Sequence, residues 1–425
     1  MIFASTNDQP SMAGRFFAGG EELLTNPPPG VAPSKLSLST VEQNPHRNYV
    51  MQANLNIQRQ ITQDLTVTAG YVGSRGVHLL IRGDDGNMTI PTLTSSGYLF
   101  PCGPPQVAGR CTAGNTDTGV SAQVNPVLGI LRYIYWGTDS SYNAMYVNVQ
   151  KRLSHSFQVQ VAYTWAKSID DNSSTIAGDT FANGLNSLFW FAPRALRGLS
   201  DFNVGQSWII NGLWDIPTPK SLGGFGNAAL GGWEVGSIFR INNGTPTTAI
   251  LNGDPMGLGN GGADQFGIPN VAPGCDPVNH NFIGSSSPAY FNVSCFTLPT
   301  VSSSSPLASQ CANFTGKGVP APTPGAVYCA NLLGNSGRNR IIGPRLVNLD
   351  FSLLKNNYIP KISEVFNIQF RAEFFNILNH SNFVPPEPIN GGSIFNGDGS
   401  AGSPGTIDNL ATQPRDVQFA LKIVW

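Results

Sequence analysis

From Met51 onward the chain keeps returning to one pattern, an apolar side chain at every second position with polar side chains between. Met51, Ala53, Leu55 and Ile57 alternate with Gln52, Asn54, Asn56 and Gln58. After the short link Thr62-Gln63-Asp64, the run Leu65, Val67, Ala69, Tyr71 alternates with Thr66, Thr68 and Gly70. Successive side chains of a strand point to opposite faces, so a period of two predicts strands, and the short link predicts that these two form a hairpin. Met145 to Gln150 and Phe157 to Trp165 repeat the arrangement around a turn at Ser154-His155. Trp208 to Ile216 and Trp233 to Ile241 form a third, less regular pair joined by a Gly/Pro-rich link. Val347 to Leu353 and Phe366 to Phe374 follow, separated by a break at Asn356 to Pro360. The chain ends on Val417, Phe419, Leu421, Ile423 and Trp425, with Gln418, Ala420 and Lys422 on the opposite face. The template yields about nine strands.

The connections between these strands alternate in length. Short links follow Gln60, Leu153, Ile216 and Lys355, whereas long ones run through Gly83 to Ser141, Asp170 to Asn203, Asn243 to Pro344 and Asn379 to Pro414. A strand that crosses a bilayer needs an apolar stripe toward lipid and tolerates a polar row toward a lumen, and bacterial outer-membrane barrels keep short turns in the periplasm and long loops outside. Placing the last strand's end at the periplasm puts every short link there too. The expected fold is therefore all-β, an antiparallel transmembrane β-barrel present in part, with long extracellular loops. A soluble secreted β-sandwich that binds polysaccharide would instead put polar side chains on the outward face and lack the aromatic terminus. A plugless channel or adhesin-like surface protein would show a complete even set of strands.

Composition removes other classes. With 425 residues, 12% charged residues and a mean hydropathy of −0.07, the chain is too polar for a bundle of membrane helices, and it contains no run of apolar residues long enough for one. The 48 glycines and 32 prolines fall mostly in the long loops. A net charge of −1 and the lack of a Lys/Arg run predict no nucleic-acid partner.

All six cysteines lie in the predicted outer loops: Cys102 and Cys111 in one, Cys275, Cys295, Cys311 and Cys329 in another. An even number in an oxidising space predicts disulfides that tie loops, Cys102 with Cys111 first among them, while four cysteines in the second loop leave three connectivities open. The spacing has no C-x-x-C pair and the histidines are scattered, so metal ligation is not expected. Tyr163, Trp165, Trp208, Trp214 and Trp233 lie near predicted strand ends, where interfacial girdles collect aromatic residues. Arg371, Glu373 and Asp350 share the polar faces of adjacent strands and either pair across the lumen or stand in solvent. Gly257-Leu258-Gly259-Asn260-Gly261-Gly262 fits G-x-G-x-x-G but has neither the preceding strand nor the following helix that a dinucleotide site requires. Asp254, Asn260, Asp264 and Asn396-Gly397-Asp398-Gly399 read as loop turns rather than a calcium site, for want of a terminal Glu. With no motif of nucleophilic, phosphate-binding or zinc-dependent catalysis, neither an enzyme nor a cofactor is expected.

Several blocks resemble a known family. Asn44 to Arg59 followed by Ala69-Gly70-Tyr71-Val72-Gly73-Ser74-Arg75-Gly76 is similar to the barrel of Oar-like TonB-dependent receptors. So are Ser141-Tyr142-Asn143-Ala144 with Val149-Gln150-Lys151-Arg152, and Ala162-Tyr163-Thr164-Trp165-Ala166-Lys167-Ser168-Ile169-Asp170-Asp171. The most distinctive block is Phe370 to Phe383, with Phe370-Arg371-Ala372-Glu373-Phe374-Phe375-Asn376 at its head. The resemblance implies an outer-membrane transporter whose barrel of about 22 strands is plugged from within and energised through the TonB system. No signal peptide, regulatory β-sandwich, plug or TonB-contacting segment is recognised in the sequence, so the expectation is a carboxy-terminal portion of such a receptor. Residues 1–48 would be an extracellular loop or extended lead-in and 49–425 the barrel part, reaching TonB only through a missing amino-terminal part. Partners implied are outer-membrane lipid, the barrel-assembly machinery and a substrate whose identity is not legible.

By the same resemblance Val417, Phe419, Leu421, Ile423 and Trp425 are the insertion signal read by the assembly machinery. Deleting Trp425 from the intact receptor is expected to lower the amount recovered in the outer membrane, measured by immunoblot of membrane fractions; unchanged recovery would refute that role.

Overall fold

Nine long strands organise the chain: β1 (Tyr49–Gln60), β2 (Leu65–Gly83), β3 (Leu128–Ser154), β4 (Phe157–Asp170), β5 (Gln206–Asp215), β6 (Trp233–Asn242), β7 (Leu346–Tyr358), β8 (Asn367–Phe375) and β9 (Asp416–Val424). They come from a computed structural model, which describes residues 2–4, 36–83, 86, 89–101, 111–112, 128–174, 189, 191–218, 226, 229–255, 266–283, 289–359, 361–388, 392–407 and 409–425. Each strand pairs antiparallel with the next, so order in the sheet is order in the chain.

The pairing register turns the sequence pattern into two continuous faces. On one, Leu55 lies opposite Tyr71, Tyr71 opposite Met145 and Met145 opposite Trp165. A second row of that face runs Val67, Val149, Val161, Ile210, Phe239, Leu349, and a third Phe351, Phe374, Val417. Many of these side chains, Leu55, Met145, Trp165, Phe419 and Leu421 among them, are exposed. A one-residue slip at any pair would send an apolar set to the wrong face, so alternation fixes the register. The opposite face is lined by amides and hydroxyls: Thr68, Asn148, Gln150, Gln160 and Asn211 meet across β2 to β5. Gly70 lies on this face opposite Tyr146, whose ring takes the space of a side chain; a Cβ there would stand 2.5 Å from it.

The turn between β3 and β4 is tight. His155 and Ser156 both have positive φ, 52° and 64°, between the paired residues Ser154 and Phe157, one position later than the expected Ser154-His155. Two such residues match the twist of the flanking strands. The expected break at Asn356 to Pro360 is corrected: β7 continues to Tyr358. Its amides enter the ladder through side chains, with Asn367 Nδ2 and Gln369 Nε2 both donating to Asn356 Oδ1 at 2.9 and 2.8 Å. Amide side chains thus carry the strand past the point where alternation fails.

Toward the other end β2 and β3 run to 19 and 27 residues, well beyond the roughly 9–11 that a bilayer needs, and so rise out of it. Residues 1–48, expected as loop or extended lead-in, contribute Leu36–Val41. That strand pairs parallel with the outer part of β3 (Val41 opposite Ile134) and antiparallel with Ile2–Ala4. Its alternation, Leu36-Ser37-Leu38-Ser39-Thr40-Val41, is short and easily passed over.

The large buried apolar side chains sit almost entirely in the loops. Phe100, Phe189, Ile250 and Ile268 form one cluster, Phe282, Tyr290, Phe291 and Phe296 another, and Leu251, Leu298 and Phe314 a third. The segment 243–345 is knitted by two-stranded ladders such as Pro246–Thr247 with Ile341–Ile342. Ile250–Asn252 also pairs parallel with Ser393–Asn396 of the last loop. Disulfides join Cys275 to Cys295 and Cys311 to Cys329, each closing a loop of about twenty residues. Cys102 and its pairing with Cys111 lie outside the described residues, as do Gly257 to Gly262, Asn260 and Asp264. The protein is thus a sheet whose apolar side faces outward, topped by a folded cap with a core of its own.

Among the described residues the sheet does not close: β1 pairs only with β2 and β9 only with β8, and both edge strands are exposed almost throughout.

Candidate functional site at the outer end of the sheet

Where β3 and β4 leave the membrane they carry carboxylates: Asp139 in β3, Asp170 as the last residue of β4, and Asp171 just beyond. The loop after β4 turns back through a single 3-10 turn, Pro193–Leu196, started by its proline. The turn sets Arg194 and Arg197 over these acids. Arg194 pairs with Asp139, and Arg197 Nη1 donates to Asp171 Oδ1 at 2.7 Å. The chain then lays Gly198-Leu199 antiparallel against Asp170 and Ile169. Gly198 has no room for a side chain, since a Cβ would lie 2.5 Å from the carbonyl oxygen of Arg338.

Arg338 reaches this point from the 243–345 segment. It is 2% exposed, pairs with the equally buried Asp170, and also donates from Nη2 to the carbonyl of Leu199 at 3.1 Å. Its neighbour Asn339, held at a φ of 55°, donates from Nδ2 to Leu199 O at 2.7 Å and to Asp201 Oδ1 at 2.6 Å. Thr248 Oγ1 donates to Asn339 Oδ1 and accepts from its backbone N–H. Below them Ser168 and Ser200 share a hydroxyl contact of 2.7 Å, and Asn203 Oδ1 accepts from Ser168 N. Two loops and two strands therefore meet on one buried polar cluster.

Burial decides which pair matters. Arg194 is mostly exposed, so its pair with Asp139 adds little. Removing Arg338 would strand Asp170 in a dry site at a cost of about 3–5 kcal/mol. Asp201 is the extra acid of the cluster: Arg338 already serves Asp170, and burial pushes the Asp201 carboxyl up to about 6, the nearby Asp170 adding to the shift and Arg338 opposing it.

The five residues of the expected insertion signal share the apolar face: Val417, Phe419, Leu421 and Ile423 in β9, and Trp425 just after it, 84% exposed. The aromatic residues expected as girdles are on that face too. Tyr163 and Trp208 stack at 4.2 Å between centroids toward the outer end, while Trp214 and Trp233 stand at the periplasmic end of β5 and β6. Asp350, Arg371 and Glu373 do not pair with one another among the described residues. Asp350 Oδ1 accepts from Asn376 N and Asn348 Nδ2, both at 2.9 Å, and Arg371 Nε donates to Gln369 Oε1. Asp398 Oδ1 accepts from the backbone and hydroxyl of Ser400, an ordinary loop turn. Among the described residues no group of His, Cys, Asp or Glu could hold a metal ion.

Sequence reasoning did not find the Arg–Asp cluster. Asp170 and Asp171 closed a recognised block, but Arg194, Arg197, Asp201 and Arg338 were read only as loop residues. The available clue was scarcity: with 12% charged residues, an arginine set between Gly337 and Asn339 in a neutral loop calls for a partner.

The folded form holds a proton on Asp201 that the unfolded carboxyl, with its ordinary value of 3.8, has already released between about pH 4 and 6. Stability of the cap should therefore fall as pH rises through that window, by about 2–3 kcal/mol in all. Asp201→Asn should flatten the dependence. Hydrogen exchange of the amides in 191–205 and 338–342, followed from pH 4 to 7, checks this; a cap that becomes more protected as pH rises would contradict it.

Residues 3–418 match the family described as outer membrane beta barrel domain. Among solved structures the chain is similar to the outer membrane transporter YddB from Escherichia coli, with 9% identity and a TM-score of 0.40, over 92% of this chain and 34% of that one. It thus spans about a third of the length of that transporter. No curated protein matches it. The two-faced antiparallel sheet and the family match over residues 3–418 lead to one conclusion: the protein belongs to the outer membrane beta barrel domain family, and its place is the bacterial outer membrane.

Proposed function

We propose that the chain forms part of the wall and the outer cap of an energised outer-membrane transporter of the Oar-like TonB-dependent class, which moves a substrate inward or outward through a plugged barrel. The observation that carries this reading is the pair of open edges. Among the described residues β1 and β9 each offer an unpaired ladder at membrane depth, where every unsatisfied backbone group costs several kcal/mol, and this supports a functional wall with further strands. A barrel larger than nine strands encloses a lumen too wide to be filled by its own side chains, and such barrels are either open channels or plugged. The lumen face, with amides at Asn148, Gln150, Gln160 and Asn211 and charges of both signs at Arg240, Asp350, Arg371 and Glu373, supports the plugged alternative, because such groups can hydrogen-bond a docked domain. The reading assigns no step of chemistry to the chain.

The intact gene product purified into planar bilayers separates the alternatives. A plugged, TonB-energised transporter should show no sustained open conductance in the absence of TonB. A large, steady conductance would overturn this reading in favour of a plugless channel.

A further inference from the structure

The cap contains a cleft of about 420 Å³ between the turn at 271–277 and the segment 335–341. Its floor is apolar, made by the buried Ala249, Phe296 and Ile341 with Val271 beside them, and the Cys275–Cys295 bridge holds one wall in place. Two polar residues line this apolar space without a partner among the described residues. Arg340 is exposed and makes no hydrogen bond or ion pair. Ser336 is 5% exposed, yet its hydroxyl is buried with nothing to bond. Asp276, in sequence between the lining residues Cys275 and Pro277, is engaged elsewhere: it accepts from Val278 N at 3.0 Å and pairs with His280 at 2.9 Å.

A cleft of this volume lies within the range of small-molecule sites, which are mostly apolar with a few polar groups that fix orientation. A buried hydroxyl left unbonded is costly, and a free guanidinium beside an apolar floor offers a planar fork to an anion. We propose that the cleft binds a small amphipathic carboxylate. Its carboxylate is held by the Arg340 guanidinium, and its aliphatic or aryl body lies on Ala249, Phe296 and Ile341. A single arginine matches one carboxylate, whereas a phosphate dianion would call for more donors than the cleft supplies. The site's place outside the cell rests on the transporter reading; binding itself does not.

The test uses the intact protein in lipid nanodiscs, with 4-phenylbutyrate and the matched alcohol 4-phenylbutanol as probes and saturation-transfer NMR as the readout. The acid should bind the wild type, with the alcohol at least about tenfold weaker. Arg340→Ala should lower affinity for the acid about tenfold or more, and Arg340→Lys should retain part of it. Ala249→Leu, which fills the floor, should abolish binding of both. Arg340 is exposed and unbonded, so replacing it leaves the cap intact and the comparison valid. No binding by the wild type, equal binding of acid and alcohol, or full affinity in Arg340→Ala would overturn the proposal. Because the readout involves no transport, such a failure leaves the reading of the barrel standing.

Discussion

In hydrocarbon a backbone N–H or C=O has no water to turn to, and everything else in this protein follows from meeting that demand with strands. The demand is met by the ladders from β1 to β9, in which each strand bonds the next in the chain and only the two outer edges stay open among the described residues. Once the backbone is committed to a sheet, side chains divide between two faces with no intermediate positions. The lipid face must then be apolar at every row. That is why Val67, Val149, Val161, Ile210, Phe239 and Leu349, drawn from six different strands, fall into one band.

The same commitment moves the hydrophobic core out of the sheet. A wall one strand thick has no interior, so the buried phenylalanines collect in the cap, where loops fold against loops and two disulfides close local circuits. Cap and wall then need a joint. Arg338 provides it by entering from the longest loop to pair with Asp170 at the tip of β4, while Asn339 ties Leu199 and Asp201 to the same point. A buried ion pair is a poor source of net stability but a strict specifier of geometry, since every alternative docking leaves a charge unpaired. In this protein it fixes the cap's position on the wall.

The wall was legible in the sequence, and the cap was not, for a physical reason. Alternation over Met51–Gln58 or Phe157–Trp165 reports a single constraint repeated at each position, and it can be read without knowing the partner strand. The ends of strands were harder. β7 passes through Asn356 and Asn357 because Asn367 and Gln369 bond to them from β8, which no local pattern reveals. The cap depends on contacts between distant segments, such as Ile250–Asn252 with Ser393–Asn396, and on cysteine pairings for which spacing offered three solutions. The resemblance blocks marked where Asp170 and Asp171 stand but were silent on the arginines that meet them.

Alternate residues of these strands face lipid and lumen in the phase given by the register. Spin labels placed singly at 157 to 165 along β4 in the assembled protein test this by relaxation with oxygen, which partitions into lipid, and with a water-soluble nickel complex. Oxygen accessibility should peak at 157, 159, 161, 163 and 165, and nickel accessibility at the positions between. A flat profile, a period near that of a helix, or the opposite phase would contradict it.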